Sequence, residues 1–422
     1  MMVAIRSCWA LLLGIALIML GNGLQGTLLG LRATIEGFST GTIGVVMTAY
    51  YAGFLLGSVL VPRLLKKVGH IRVFAALASL ASVSALIHPV FTEPGSWFVL
   101  RVITGFSYAG LYVVAESWLN DIATNETRGQ LLAVYMVIML GGAGAGQFML
   151  NLSSPGGMEL FILISVLVSL AVVPITLSVS TGPKFDAPEH IGVAALYRAS
   201  PLGVVGAMAT GMSYSAIFSM GAVYTASIGL PVSATAYFMA SIYFGGVLLQ
   251  WPIGRLSDRH DRRMVIIVVS AVASAAMLAA VLIGERSFIV LILLMALFGG
   301  TSLPLYSLFI AHTNDHLRPE QMVAASASLV LVGGIGACMG PALGAFIMSL
   351  GGAGGYLWYF VVLHAATAAF GLYRMTRRES RPLEEQSEFA AVSPRATSVA
   401  AAITTRTMRD QRDQDLARLT RY

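Results

Sequence analysis

Charge is scarce in this sequence. Asp, Glu, Lys and Arg make up 11% of its 422 residues, against about 25% in an ordinary soluble domain. Hydrophobic residues make up 57%, and one or two soluble cores cannot hide that much apolar surface in a chain of this length. The scarcity of charge excludes an ordinary soluble protein and points to a membrane. Cysteine is nearly absent too. Cys8 and Cys338 stand alone in apolar stretches, which excludes a disulfide framework and cysteine-spaced metal ligation. There is no Walker lysine loop and no polar domain to carry one, so ATP is not the expected energy source and no cofactor is expected. The net charge of +6 sits mostly in short loops and in the tail, without a basic face interleaved with aromatics. Nucleic acid is therefore not an expected partner.

What the sequence has in abundance is long apolar runs. Stretches of about 20 residues suited to crossing a bilayer fall at 8–31, 40–62, 71–91, 97–119, 130–151, 158–179, 201–226, 233–254, 263–283, 287–312, 321–349 and 354–375. The first resembles a signal peptide at its start, but its apolar run continues to Leu31 and further spans follow, so it reads as a retained helix. The expected fold is an all-α membrane protein of twelve transmembrane helices in two pseudo-symmetric six-helix bundles. Residues 1–180 form the N-terminal bundle, 181–200 a cytoplasmic linker and 201–375 the C-terminal bundle. Residues 376–422 form a cytoplasmic tail rich in Arg, Glu and Ser, read as disordered, with 408–422 as a possible surface helix on anionic lipid. Cytoplasmic termini place 23 of the 26 Lys and Arg on the cytoplasmic side, leaving Arg32, Arg101 and Arg286 for the other.

The two halves repeat. At an offset of 192, Gly37, Met47, Tyr51 and Gly53 fall on Gly229, Met239, Tyr243 and Gly245. At 194, Tyr112 falls on Tyr306, Asn120-Asp121 on Asn314-Asp315, and Gly142-xxx-Gly146 on Gly336-xxx-Gly340. Parallel repeats of this kind suit a secondary transporter with a midplane site between its halves. The glycines of "GGAGAGQ" (141–147) lie inside an apolar span with no preceding strand, so they read as a helix contact and not as a dinucleotide loop.

The charged stretch "GRLSDRHDRRMV" after span 8 falls opposite "PRLLKKVGHIR" after span 2. Gly254, Asp258, Arg259, Arg262 and Arg263 match the pattern Gly-xxx-Asp-Arg/Lys-x-Gly-Arg-Arg/Lys, with Asp261 in place of the second glycine. By that loop and the twelve repeated spans, over about residues 8–375, the sequence resembles the major facilitator superfamily. "AESWLN" followed by "RGQLLAVYM" is similar to its YcaD-like bacterial branch. The resemblance implies a cytoplasmic gate at Asp258, Arg259, Arg262 and Arg263, with Lys67 and Arg72 in the other half, where Lys66 replaces the aspartate. The alternative is that the loop arginines only set topology. Asp121 and Arg128 are candidates to join the gate, with a solvated pair as their alternative. Arg101-xxx-Gly105 resembles the family's span-4 motif, which implies a part for Arg101 in proton coupling. The proline of the family's span-5 antiporter motif is replaced by Gln147.

Along span 4, Arg101, Gly105, Tyr108, Tyr112 and Glu116 share one helical face. A basic group, two phenols and an acid on one stripe suit a face on protein or water and not lipid. Arg101 and Glu116 are coupling candidates, against snorkelling for the first and loop pairing for the second. Asn22 and Gln25 lie mid-membrane in span 1, either to orient a ligand or to bridge helices. Arg32 and Glu36 read as an i,i+4 pair at the outer end. Gln147, Asn151, Tyr214, Tyr243 and Tyr306 complete the substrate-cavity candidates, each with a packing alternative. His88, His312 and His364 read as hydrogen-bonded structural histidines. Arg101 and Glu116 are 15 residues apart, ~22 Å along a helix, too far to act on one bond, so an enzyme is not expected. The function expected is secondary transport of a small neutral, weakly anionic or amphipathic solute by a monomer in a bacterial inner membrane, driven by protons. A facilitator and a membrane sensor on the same scaffold are the alternatives.

Overall fold

The computed structural model describes residues 2–124, 127–177 and 191–377, and within the tail 382, 383, 386, 387, 389–393, 395, 397–401 and 405. Among these, the regular structure is helical throughout, and twelve segments are long and apolar enough to cross a membrane. The first bundle holds α1 (Met2–Ile35), α2 (Thr40–Val68), α3 (His70–Ile87), α4 (Pro94–Ile122), α5 (Arg128–Phe148) and α6 (Glu159–Thr176). A short α7 (Val193–Ala199) leads into α8 (Pro201–Ser227), α9 (Val232–Arg259), α10 (Arg262–Ile283), α11 (Phe288–Ser302), α12 (Leu305–Asn314), α13 (Pro319–Gly351) and α14 (Gly355–Met375). Most of the expected linker, residues 178–190, lies outside the described residues.

The repeat is visible in the packing. α2 lies on α4 as α9 lies on α11, α1 on α5 as α8 on α13, and α3 on α6 as α10 on α14. Glycines permit the tightest of these approaches. A Cβ on Gly53 would lie 2.0 Å from the carbonyl oxygen of Val102, and one on Gly245 would lie 1.9 Å from that of Ala296. Gly146 and Gly340 make the matching approach to the carbonyls of Leu20 and Met212, each at 2.3 Å. The glycines of span 5 are thus a helix contact, as their setting implied. Gly37 and Gly229, both at φ 76°, turn the chain before α2 and α9 in a region where a side chain is disfavoured.

One span departs from expectation. The tenth crossing is broken into α11 and α12 around Leu303 and Pro304, because proline has no N–H for the helical ladder and its ring crowds the preceding turn. Asp261, which stands where the loop pattern has glycine, caps α10 by accepting the Arg263 backbone N–H at 3.0 Å.

The bundles meet through α2 on α13, α5 on α9 and α1 on α8. α14 ends on the face where α1 starts, here called the terminal face. At the opposite, far face the halves close on each other. Gly44 of α2 abuts Pro341 and Ala345 of α13, Gly30 of α1 abuts Ala222 of α8, and Phe148 packs on Tyr237 and Phe244, with ring centroids 5.5 and 6.3 Å away. Toward the terminal face α5 and α9 diverge around a cavity of ≈ 420 Å³ lined by Leu132, Met136, Gln250, Trp251 and Asp258.

Candidate functional site

The centre of the cleft is built from the middle turns of α1, α2, α4, α8 and α9. Asn22, Gln25, Tyr50, Tyr51, Arg101, Phe218 and Tyr243 line one enclosed void, and Tyr214 lines a second beside it. Periodicity on α1 and α4 is what delivers Asn22, Gln25 and Arg101 to the same place. Arg101 is buried and turned inward, its guanidinium 4.4 Å above the Tyr50 ring, and does not snorkel to a surface. Its Nε, both amide atoms of Gln25, the Tyr108 hydroxyl and the Ser107 hydroxyl are buried without a hydrogen-bond partner. Such groups cost free energy when desolvated, and a cluster of them is rare in a finished core. Asn22 donates from Nδ2 to the Tyr50 hydroxyl at 3.3 Å.

Other expected lining residues have different places. Gln147 is a bridge: its Nε2 donates to the Gly23 carbonyl at 2.7 Å and its Oε1 accepts from the Thr27 hydroxyl at 2.6 Å. Asn151 is exposed at the far end, donating to the Phe148 carbonyl at 3.1 Å. Tyr112 is buried and donates to Met19 Sδ at 3.3 Å. Tyr306 is buried deeper toward the terminal face, beside Val330 and Ile310. Arg32 and Glu36 pair at 2.6 Å, as the i,i+4 spacing implied.

Glu116 lies near the terminal end of α4, fully buried. It accepts from Tyr135 at 3.0 Å, and Lys67 at the end of α2 and Arg72 at the start of α3 are exposed instead of pairing with it. Its remaining donors come from the tail. The backbone N–H groups of Thr397 and Ala400 each donate at 3.3 Å, and the Thr397 hydroxyl donates as well. One of the tail arginines, Arg395, reaches the centre of the cleft. It donates to Asn22 Oδ1 and, at 3.4 Å, to the Tyr243 hydroxyl, and sits 5.3 Å above the Tyr214 ring. Nothing in the charge pattern of 376–422 singled it out. The overlooked signal is the composition of 389–405, where apolar and small residues surround that single charge. Residues 406–422, with the expected surface helix, lie outside the described residues.

The gate candidates divide by half. Arg262 is buried in an ion pair with Asp315, donates to the Ser257 hydroxyl at 2.9 Å and lies 3.7 Å from Asp258. Asp315 is the repeat partner of Asp121, a signal that pointed to the right side chain in the wrong half. Arg263 pairs with Asp261 at 2.9 Å, while Arg259 is exposed. Lys67, Arg72 and Asp121 are exposed on the first bundle, and the Arg128 side chain lies outside the described residues. Among the described residues no ion pair joins the two bundles here. Removing one member of a buried pair leaves the other charge uncompensated, at a cost of about 3–5 kcal/mol. Arg262→Ala is therefore expected to lower the melting temperature in detergent markedly, and Arg259→Ala to leave it unchanged.

The three histidines have structural surroundings. His364 meets the hydroxyls of Ser213 and Ser302 at 3.0 and 3.2 Å, and His312 packs on His316. His88 Nδ1 lies 2.6 Å from the Ser84 carbonyl. The Trp97 indole N–H donates to the His88 carbonyl at 3.0 Å, so the residue is held inside the first bundle away from the central void, and His88→Asn is expected to leave the pH profile of transport unshifted.

A family profile described as Major Facilitator Superfamily matches residues 11–338 and 203–412. The chain belongs to the major facilitator superfamily. It is a multi-pass membrane transporter. Its relatives include the MFS-type transporter Ent638_1421 of Enterobacter sp. strain 638, 28% identical over 345 residues, spanning 81% of this chain and 89% of the relative. The MFS-type transporter YcaD of Escherichia fergusonii is 27% identical over 348 residues, again 81% and 89%. Among solved structures, the nucleoside transporter NupG superposes with a TM-score of 0.72 at 14% identity, covering 88% of this chain and 98% of that one. An inward-facing, unoccupied bacterial homologue of the human lysosomal transporter Spinster gives 0.68 at 14%, covering 97% and 98%. At these identities the two structures share the superfamily fold.

Proposed function

We propose that this superfamily member carries a small neutral, weakly anionic or amphipathic solute by alternating access, coupled to protons, as a monomer in a bacterial inner membrane with both termini cytoplasmic. The observation that carries the solute class is that two of the residues lining the central void, Gln25 and Arg101, hold buried polar atoms without a hydrogen-bond partner. They offer donors, an acceptor and one permanent positive charge, and the lining of that void contains no carboxylate. A solute with an acidic or hydrogen-bonding head and an apolar body would satisfy them while its body meets Phe218 and the tyrosine rings. The unsatisfied amide of Gln25 gives discrimination, because a solute without matching groups leaves both its atoms buried and unpaired.

Alternation is supported by the geometry of the seams. α1 on α8 and α2 on α13 close the far face, while α5 and α9 diverge at the other. Rocking the halves about the centre would exchange the two, bringing Asp258 and Arg259 toward Lys67, Arg72 and Asp121 as the gate. Arg101 and Glu116, far apart on one helix, suit a division of labour in which Arg101 holds solute and Glu116 carries the coupled proton.

The test is accumulation of solutes from a mixed metabolite and drug pool into vesicles containing the protein, read by mass spectrometry with and without an imposed pH gradient. Gradient-dependent accumulation of one solute is the expected result. Movement indifferent to the gradient would make the protein a facilitator. Binding without movement would favour the sensor reading.

A further inference from the structure

The described tail residues run along the cleft from the terminal face to the midplane, and they touch both bundles on the way. Ser387 donates its N–H and hydroxyl to Asp315 at 2.9 and 2.8 Å, and its carbonyl accepts from Arg262. The Phe389 N–H donates to Asp258 at 2.7 Å, with its ring against Gly254. Val392 and the Ser307 hydroxyl exchange two bonds, at 2.9 and 3.1 Å. Arg395 then meets Asn22 of the first bundle and Tyr214 and Tyr243 of the second, and Thr397 and Ala400 end on Glu116.

Two features make this more than a covering strand. The voids left at the centre are only ≈ 20 and ≈ 40 Å³, and Arg395 lines both, so the tail stands where a solute of the proposed class would bind. Its hold is also specific, since it donates to Asn22 Oδ1 and supplies three donors to the buried Glu116 carboxylate. The same hold is weakened where it is deepest. Arg395 shares its void with Arg101, a like charge, and its partners there are neutral. A ligand fixed by good hydrogen bonds but set against a like charge is suited to release.

We propose that the described tail residues between Ser387 and Ala401 are a tethered ligand of the central cavity, an arginine-bearing segment that a solute must displace. The class of ligand the terminal half of the cavity fits is therefore a peptide segment with one guanidinium and small side chains around it. The proposal rests on the cavity being the transport site, but its test needs no solute.

A cysteine reporter at Ser58→Cys, which lines the second void, would be placed in a Cys8→Ser, Cys338→Ser background. Its labelling by N-ethylmaleimide would be timed in open membrane fragments for the full chain, for a chain ending at Arg377, and for full-length Arg395→Ala. Labelling about tenfold faster in the shortened chain is expected, as for a cavity passing from mostly occupied to mostly free. A synthetic peptide of residues 385–403 should slow it again, and the same peptide with R395A should not at equal concentration. The full-length Arg395→Ala chain covers the case in which the shortened chain does not fold, and should label at an intermediate rate. Equal rates in all folded chains, or equal slowing by both peptides, would overturn the proposal. A protected reporter in a protein that moves no solute from the pool would instead sink the transport reading and leave the tethered ligand standing.

Discussion

Arg101→Ala is expected to remove solute accumulation at working concentrations, with the loss in the affinity of the site. A hydrogen bond to a charged group contributes about 1.5–3 kcal/mol when its partner is buried, which is roughly a ten- to hundredfold change in half-saturating concentration. The side chain is buried above Tyr50 and lines the central void, and one of its nitrogens has no partner within the protein. Arg101→Lys is the informative companion. It keeps the charge but gives up the planar group that stacks on Tyr50 and the fork that binds an acidic head with two hydrogen bonds. If solute recognition uses the guanidinium plane, Lys should recover little of the loss. Full recovery by Lys would reduce Arg101 to a point charge, and undiminished uptake by Arg101→Ala would remove it from the site. The comparison is made on initial rates across a solute series in the same vesicles, using the solute identified from the pool.

The second large effect concerns the architecture. Gly53→Ala and Gly245→Ala should each destabilise the folded protein, by about 1–3 kcal/mol if the helices yield and by more if they do not. The added carbon would lie 2.0 and 1.9 Å from a backbone oxygen of the facing helix, a clash that no rotamer change relieves. Because the two contacts are repeat equivalents, the two losses should be of similar size. Gly95→Ala, with nothing within 4 Å of the new carbon, is the control expected to melt like the parent. Thermal melting in detergent, followed by the monodisperse fraction, measures all three. A shift at one member of the Gly53/Gly245 pair and none at the other would show that the two halves do not share their packing.

The span pattern and the repeat were legible because a bilayer imposes length and apolarity on every crossing, and because close helix contacts demand glycine at matching positions. Asn22, Gln25 and Arg101 were legible as polar residues on one face of a greasy helix, where partition alone makes them exceptional. Gln147 shows the limit of that reasoning. Helical spacing tells which face an amide occupies, and only the facing helix decides whether it finds Thr27 and the Gly23 carbonyl or an open cleft. Asn151 shows another. The helix tightens at Met149–Leu152, so the periodic extrapolation from Gln147 fails within one turn. The breaking of the tenth span was legible in Pro304 but was passed over, because hydropathy is blind to a missing N–H. Arg395 was hidden for a deeper reason. Its place depends on contacts with side chains hundreds of residues earlier, and local composition carries no record of them.

The direction in which the tail lies has a consequence for biogenesis. Residues 382–405 are made after α14, so the last crossing helix has already left the ribosome when they appear. Bundles that assemble before the tail docks would hold a vacant cleft, which the tail would enter from the face on which α14 ends. In such a stage Glu116 would keep the Tyr135 hydroxyl and lack the donors of Thr397 and Ala400. The plug would then arrive as a postscript to folding. A bulky fusion attached soon after Met375 would hold the protein in that juvenile form.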